Sequence, residues 1–118
     1  MTLPVRWLTD QLAVTGQIDP TDIPSIQAMG FKSVICNRPD HEFDMQQPTA
    51  KAVQLAAEAA GMKFSFLPVT PDGGTAADAQ SMGRLLECAD APVLAYCKTG
   101  GRCMALIGLA ARLGHTIP

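Results

Sequence analysis

The sequence predicts an α/β fold: a central, mostly parallel sheet of about four strands flanked by helices. Two observations carry this. Short apolar, β-branched runs alternate with helix-periodic runs in a β-α-β-α-β-α-β-α order along the chain. Strands in such an order need crossover connections, so they lie parallel. The composition agrees: 118 residues, 47% hydrophobic and 17% charged, suit one domain over residues 1–118 with a buried core, and argue against disorder.

The elements follow in order. "LAVTGQ" (12–17) reads as a short strand and turn. Residues 19–30 read as a helix, with Thr21 as its cap, Pro24 in the first turn and Gly30 as its stop. "FKSVICN" (31–37) is a β-branched run broken by Arg38, Pro39 and Asp40, and residues 41–48 are polar loop. Thr49 caps a helix that places Val53, Ala56, Ala57 and Ala60 on one face and ends at Gly61. "MKFSFLPV" (62–69) alternates like a strand, and "TPDGG" (70–74) is a loop. Thr75 and Asp78 form a capping box ahead of Met82, Leu85, Leu86 and Ala89. "APVLAYC" (91–97) is a buried strand. From Arg102 a last helix is expected to bury Leu106, Leu109, Ala110 and Leu113.

Several function classes drop out. A net charge of −2 without a basic run argues against nucleic acid as the main partner. The C-terminal apolar run breaks at Arg112, too short for a membrane span. The N-terminal stretch "MTLPVRWLTDQL" lacks the apolar core of a secretory signal. Cys36, Cys88, Cys97 and Cys103 show no C-x-x-C spacing, so reduced thiols and a cytoplasmic location are expected. His41 and His115 lack zinc-ligand spacing; no metal and no cofactor are expected.

The chemistry concentrates in "CKTGGR" (97–102), between the last strand and the last helix. In a parallel sheet, ligands bind beyond the carboxyl ends of the strands, where Cys97 falls. Gly100 and Gly101 let the backbone curl with positive φ so that its N–H groups converge. The helix N-terminus adds partial positive charge. This is an anion cradle, and a thiol at its lip is expected to have a lowered pKa. Arg102 can grip two oxygens of an anion, Lys98 adds charge, and Thr99 offers a hydroxyl. A cysteine closing a buried strand is often only a small apolar residue, and that reading holds for Cys36 and Cys88. The Gly-Gly-Arg continuation outweighs it at Cys97.

"CKTGGR" resembles the active-site loops of cysteine-dependent phosphatases and rhodanese-type sulfurtransferases. The phosphatases use C-x5-R; this chain has the rhodanese-sized C-x4-R. "VTGQIDPTDIPSIQAMGFKSVICNRPD", "AAEAAGMKFSFLPV" and "APVLAYCKTGGRC" together resemble the beta-lactamase-hydrolase-like protein, phosphatase-like domain family over about residues 10–113. The resemblance implies a cysteine-phosphatase fold of the dual-specificity type, with Cys97 as nucleophile, residues 98–101 as cradle and Arg102 as anion-binding arginine. It also matches Asn37, Arg38, Pro39 and Asp40 to a motif bordering the cleft, making Arg38 a candidate substrate contact. Some members are fused to a persulfide dioxygenase, which implies such an enzyme as a partner. Two features depart from the family. Cys103 stands where serine or threonine is usual, and the sequence ends at Pro118 where relatives usually continue, so a closing C-terminal element is expected to be missing or unneeded.

Three chemistries compete. The reading placed first is sulfur transfer. Cys97 takes a sulfane sulfur from thiosulfate or glutathione persulfide and passes it to a thiol or cyanide, with no proton donor needed for the leaving anion. The alternative is phosphate-ester hydrolysis through a phosphocysteine, which needs a general acid. Asp72 is the first candidate and Asp40 the second, although Pro-Asp-Gly is also ordinary turn chemistry. The third is a thiol switch without turnover, with Cys103 as the resolving thiol.

Overall fold

The computed structural model describes residues 3–118. Four strands run parallel: β2 (Leu12–Thr15), β3 (Ser33–Cys36), β4 (Lys63–Phe66) and β5 (Val93–Tyr96). A fifth, β1 (Arg6–Thr9), pairs antiparallel with β2, and the sheet order is β1-β2-β5-β3-β4. The sequence reading has no counterpart to β1. It is a mostly exposed edge strand, so its residues lack the alternation that marks a half-buried strand. Trp7 is its anchor, stacked on Phe31 with ring centroids 5.0 Å apart.

Helices α1 (Ile23–Ala28) and α2 (Ala50–Ala59) cover one face; α3 (Ala76–Cys88) and α4 (Gly101–Arg112) cover the other. With both faces covered, every residue of β2, β3 and β5 is buried, and the period of two sorts them by layer. Leu94, Tyr96, Val34 and Cys36 pack under α1 and α2. Val93, Ala95, Cys97 and Ile35 pack under α3 and α4. The nucleophile candidate therefore shares a layer with Cys103, while Cys36 lies across the sheet.

Three details differ from the sequence reading. The 19–30 segment opens with a 3₁₀ turn (Pro20–Asp22) capped by Asp19, whose Oδ1 accepts from the Thr21 N–H at 2.9 Å, so Thr21 is not the cap. Helix α4 begins one residue earlier than expected, at Gly101. Leu113 is exposed, because α4 ends at Arg112 and Gly114 turns the chain with φ +97°. The Thr75–Asp78 capping box is present as read: Thr75 Oγ1 accepts from Asp78 N at 3.2 Å, and the Asp78 carboxylate accepts from Thr75 N at 2.9 Å.

Replacing Thr75 by alanine removes that cap. The expected loss is about 1 kcal/mol, seen as a melting point lower by roughly 3–5 °C for a domain of this size. Thermal unfolding followed by circular dichroism measures it.

Candidate active site

The parallel strands place their carboxyl ends along one edge of the sheet, and three segments meet there. After β5 comes Cys97 and the loop to α4. After β2 comes Gly16, packed so closely under the loop that a Cβ there would lie 2.9 Å from the Lys98 carbonyl oxygen. Gln17 N donates to that same oxygen at 3.3 Å. After β3 comes the segment from Asn37 to Gln47. Asn37 is fully buried and ties the ends of β3 and β4 together, donating from Nδ2 to Leu67 O at 3.1 Å.

Cys97 is 1% exposed, so its thiol forms the floor of the cradle and not its lip. The Gly100 N–H donates to Sγ at 3.1 Å. Gly100 adopts φ +94°, which favours glycine and turns the amide inward; Gly101 is already the first residue of α4 and lacks positive φ. The backbone amides of Thr99 and Cys103 also favour the thiolate, the latter from the first turn of α4. The Cys103 thiol, hydrogen-bonded to Cys97 Sγ, contributes most. Together these outweigh burial and bring Cys97 down to about 5. Cys103 moves the other way, well above its ordinary value, because its proton is held by the neighbouring thiolate and burial adds to the effect. Burial pushes Cys36 up to about 11, and its thiol is spent on Arg38 O at 3.3 Å. Cys88 is exposed at the end of α3.

Arg102 is buried, and a residue absent from the sequence reading holds it. Glu42 grips the guanidinium end-on: Nη2 donates to Oε1 at 2.8 Å and Nη1 to Oε2 at 3.0 Å. Nη1 also donates to Val69 O at 3.0 Å. An arginine has five N–H donors. Those left are Nε–H, without a partner among the described residues, and the second proton of Nη2. These two share one edge of the guanidinium plane, the geometry that meets two oxygens of an anion. Glu42 thus occupies one edge of Arg102, and the Nε of the other edge has no partner among the described residues.

Glu42 is placed by its own loop. Arg38 donates from Nη2 to Glu42 O at 2.7 Å and from Nε to Oε1 at 3.4 Å, and Gln47 Oε1 accepts from Glu42 N at 2.9 Å. His41 and Phe43 on either side sit at φ 55° and 62°, a region non-glycine residues rarely adopt. Arg38 has its third nitrogen on Gln17 Oε1 at 3.1 Å. It is buried and each of its three nitrogens has a protein partner, which places Arg38 as a support for Glu42, where the resemblance implied substrate contact. In the sequence, Glu42 was one acidic residue in a polar loop; its spacing of four from Arg38 was the available signal.

The remaining candidates lie as follows. Lys98 and Thr99 are exposed on the cradle, and Thr99 Oγ1 accepts from Gly101 N at 3.3 Å. Asp72 is exposed; its Oδ1 accepts from Thr70 Oγ1 and from Gly74 N at 3.1 Å, which holds its carboxyl below the usual carboxylate range. Asp40 accepts from Ala50 N at 2.8 Å at the start of α2. Both acid candidates are therefore engaged locally, Asp72 in its own turn and Asp40 at the start of α2. Among the described residues, no group of three or more His, Cys, Asp or Glu side chains is placed to hold a metal ion, and no helix is long and apolar enough to cross a membrane.

Comparisons with known proteins agree with this architecture. Residues 4–113 match the model of the beta-lactamase hydrolase-like protein, phosphatase-like domain family. The sequence is 39% identical over 110 residues to a beta-lactamase hydrolase-like protein of Agrobacterium fabrum, covering 93% of this chain and 25% of that protein. A namesake from Xylella fastidiosa is 34% identical over 103 residues, covering 87% and 24%. The chain thus spans about a quarter of the length of these relatives. Among solved structures, a candidate phosphatase of Neisseria meningitidis superposes with a TM-score of 0.82 at 35% identity, covering 95% of this chain and 78% of that one. The catalytic core of the PP-IP phosphatase SIW14 of S. cerevisiae shares the fold, with a TM-score of 0.71 at 15% identity over 92% of this chain and 65% of that one.

Two outcomes are expected. The rate of Cys97 alkylation by iodoacetamide should rise with pH through a midpoint near 5 and be flat by neutral pH, because the lowered pKa leaves the thiolate as the resting form above that point. A midpoint above 8, read from peptide mass spectra, would show an ordinary thiol. Glu42→Gln leaves two buried arginines facing a neutral amide, which should destabilise the fold by about 3 kcal/mol in urea unfolding and loosen the Arg102 fork.

Proposed function

This chain belongs to the beta-lactamase hydrolase-like protein, phosphatase-like domain family, and we propose that it hydrolyses phosphate esters or anhydrides through a phosphocysteine at Cys97. The observation that carries this reading is the free edge of Arg102: a guanidinium locked from behind by Glu42, with two N–H donors unspent beside a thiolate ringed by backbone amides. A phosphoryl group offers equatorial oxygens to the arginine edge and the amides while the thiolate attacks phosphorus in line. The P–O bond breaks and its electron pair leaves with the departing oxygen. Water then attacks the phosphocysteine, the P–S bond breaks, and the electron pair returns to Sγ, where the Cys103 thiol and the loop amides receive it.

The state of the carboxyls narrows the substrate class. With Asp72 held below the usual carboxylate range by its own turn and Asp40 spent on Ala50 N, the leaving group must depart without a strong proton donor. Phenolates and phosphate anions do so; simple alkoxides do not. Aryl phosphates and phosphoanhydrides are the preferred class.

Sulfur transfer is the second reading. The same carboxyl arrangement favours it, as does a cradle one residue shorter than C-x5-R. In that reading thiosulfate or glutathione persulfide leaves its sulfane sulfur on Cys97, and a persulfide dioxygenase is the partner enzyme.

Side-by-side assays of aryl-phosphate hydrolysis and thiosulfate:cyanide transfer decide between them. We expect phosphate release that Cys97→Ser abolishes and Arg102→Lys lowers at least tenfold, about 1.4 kcal/mol or more of transition-state stabilisation, because lysine keeps the charge and loses the fork. A phosphate adduct should be trapped on Cys97. Sulfur transfer with a one-sulfur adduct and no phosphate release would install the second reading.

A further inference from the structure

We propose that Asn37 is a positioning residue for the Nε edge of Arg102, because it joins the two supports that hold the guanidinium in place. This deepens the reading of that edge as the anion contact and rests on it. Asn37 is the first residue past β3, and Cys97 is the first past β5. The two strands pair in parallel with Cys36 opposite Tyr96, and Asn37 N donates to Tyr96 O at 2.9 Å, so Asn37 and Cys97 leave the sheet side by side. The Asn37 side chain is fully buried on the α3 side, where Nδ2 lies 3.8 Å from Met82 Sδ.

Two segments reach Arg102 from this point. The loop after β3 brings the Glu42 carboxylate to Nη1 and Nη2. The chain leaving β4 brings the Val69 carbonyl to Nη1 at 3.0 Å. Asn37 is the root of the first segment, since Arg38, the next residue, donates to Glu42 O at 2.7 Å. It also holds the second. Its carbonyl accepts from Val69 N at 2.9 Å, and Nδ2 donates to Leu67 O at 3.1 Å. The Asn37 N–H is already spent on Tyr96 O, so the donor for Leu67 O comes from the side chain. An end-on carboxylate alone would let the guanidinium swing with the 38–47 loop. The Val69 carbonyl, carried by a different strand, stops that swing and sets where the Nε edge points. Oδ1 of Asn37 is buried with no partner among the described residues, a cost to the fold. The use of this side chain is therefore its Nδ2 donor.

The test compares two alkylating reagents on the full chain. Iodoacetate and iodoacetamide attack the same Cys97 thiolate with loss of iodide, and only iodoacetate carries two anionic oxygens for the arginine edge. The ratio of their rates at Cys97, read from fragment spectra of tryptic peptide 85–98, cancels changes in exposure or ionisation of the thiol. We expect iodoacetate to be the faster reagent on the parent, and Arg102→Lys, which keeps the charge and loses the fork, to lower the ratio. Asn37→Ala should lower it roughly tenfold, the effect of losing a well-placed charged hydrogen bond. Combined with Arg102→Lys, Asn37→Ala should lower it no further, because the fork it positions is already gone. Alanine removes the unpaired Oδ1 together with the donor, so the two effects on stability oppose each other. Where alanine fails to fold, Asn37→Leu, branched like asparagine and without a donor, takes its place. An unchanged ratio in the Asn37 variant, or an equal loss with arginine and with lysine at position 102, overturns the proposal. Equal ratios in the parent and Arg102→Lys would remove the arginine from anion binding and this proposal with it. Alkylation needs no turnover, so a protein inert toward every phosphate ester would count against the function and leave this test standing.

Discussion

One buried charge organises the site. Glu42 lies between Arg38 and Arg102, and each arginine is buried because that carboxylate is there. A guanidinium without a counter-charge would not stay desolvated at the base of a helix N-terminus, whose dipole repels it. The pair therefore allows Arg102 to occupy the first turn of α4 beside the Cys97 loop. It also fixes the rotation of the guanidinium, since an end-on grip on Nη1 and Nη2 leaves the Nε edge unpaired among the described residues. The left-handed residues His41 and Phe43 are what this placement costs locally, of order 1 kcal/mol or more each.

The thiolate depends on a second, shorter-range arrangement. Backbone amides of the loop and of the first turn of α4 converge on Cys97 Sγ, and the Cys103 thiol donates as well. Serine at that position would donate through a hydroxyl. Cysteine donates more weakly but adds a second sulfur beside the first. The low pKa of Cys97 and the high pKa of Cys103 are two sides of one shared proton.

The layered sheet, the helices and the cradle were legible in the sequence because each leaves a periodic or local mark. Buried parallel strands read as continuous apolar runs, the Thr75–Asp78 box sits at fixed spacing, and Cys-x4-Arg follows a strand and opens a helix. What escaped is non-local. β1 is held by pairing with β2 and by Trp7 on Phe31, neither of which imposes a period on its own four residues. Glu42 and Arg102 are 60 positions apart, and only the folded sheet brings them together. The resemblance implied a substrate contact for Arg38 through the Asn37–Asp40 motif that it matches. Its nitrogens are instead bonded to Gln17, the Glu42 carboxylate and the Glu42 carbonyl. Asp72 shows the converse: Pro-Asp-Gly offered an acid, and the local turn claims the carboxylate first.

The vicinal thiol also bears on which covalent intermediate the cradle tolerates. A persulfide on Cys97 has an electrophilic inner sulfur. A touching thiol can attack it, releasing hydrosulfide and leaving the Cys97–Cys103 disulfide with atoms and electrons balanced. The carried sulfur would then be discharged within the protein before an acceptor arrived, and each turn would need an external reductant. A phosphocysteine has no such exit. Its sulfur is not electrophilic, and a neutral thiol is a poor nucleophile at a phosphoryl group whose oxygens carry negative charge. Water can therefore compete, and the thiol serves only to steady the returning thiolate. In the proposed reading Cys103 is thus compatible with repeated phosphoryl turnover, whereas in the second reading it would work against repeated sulfur transfer.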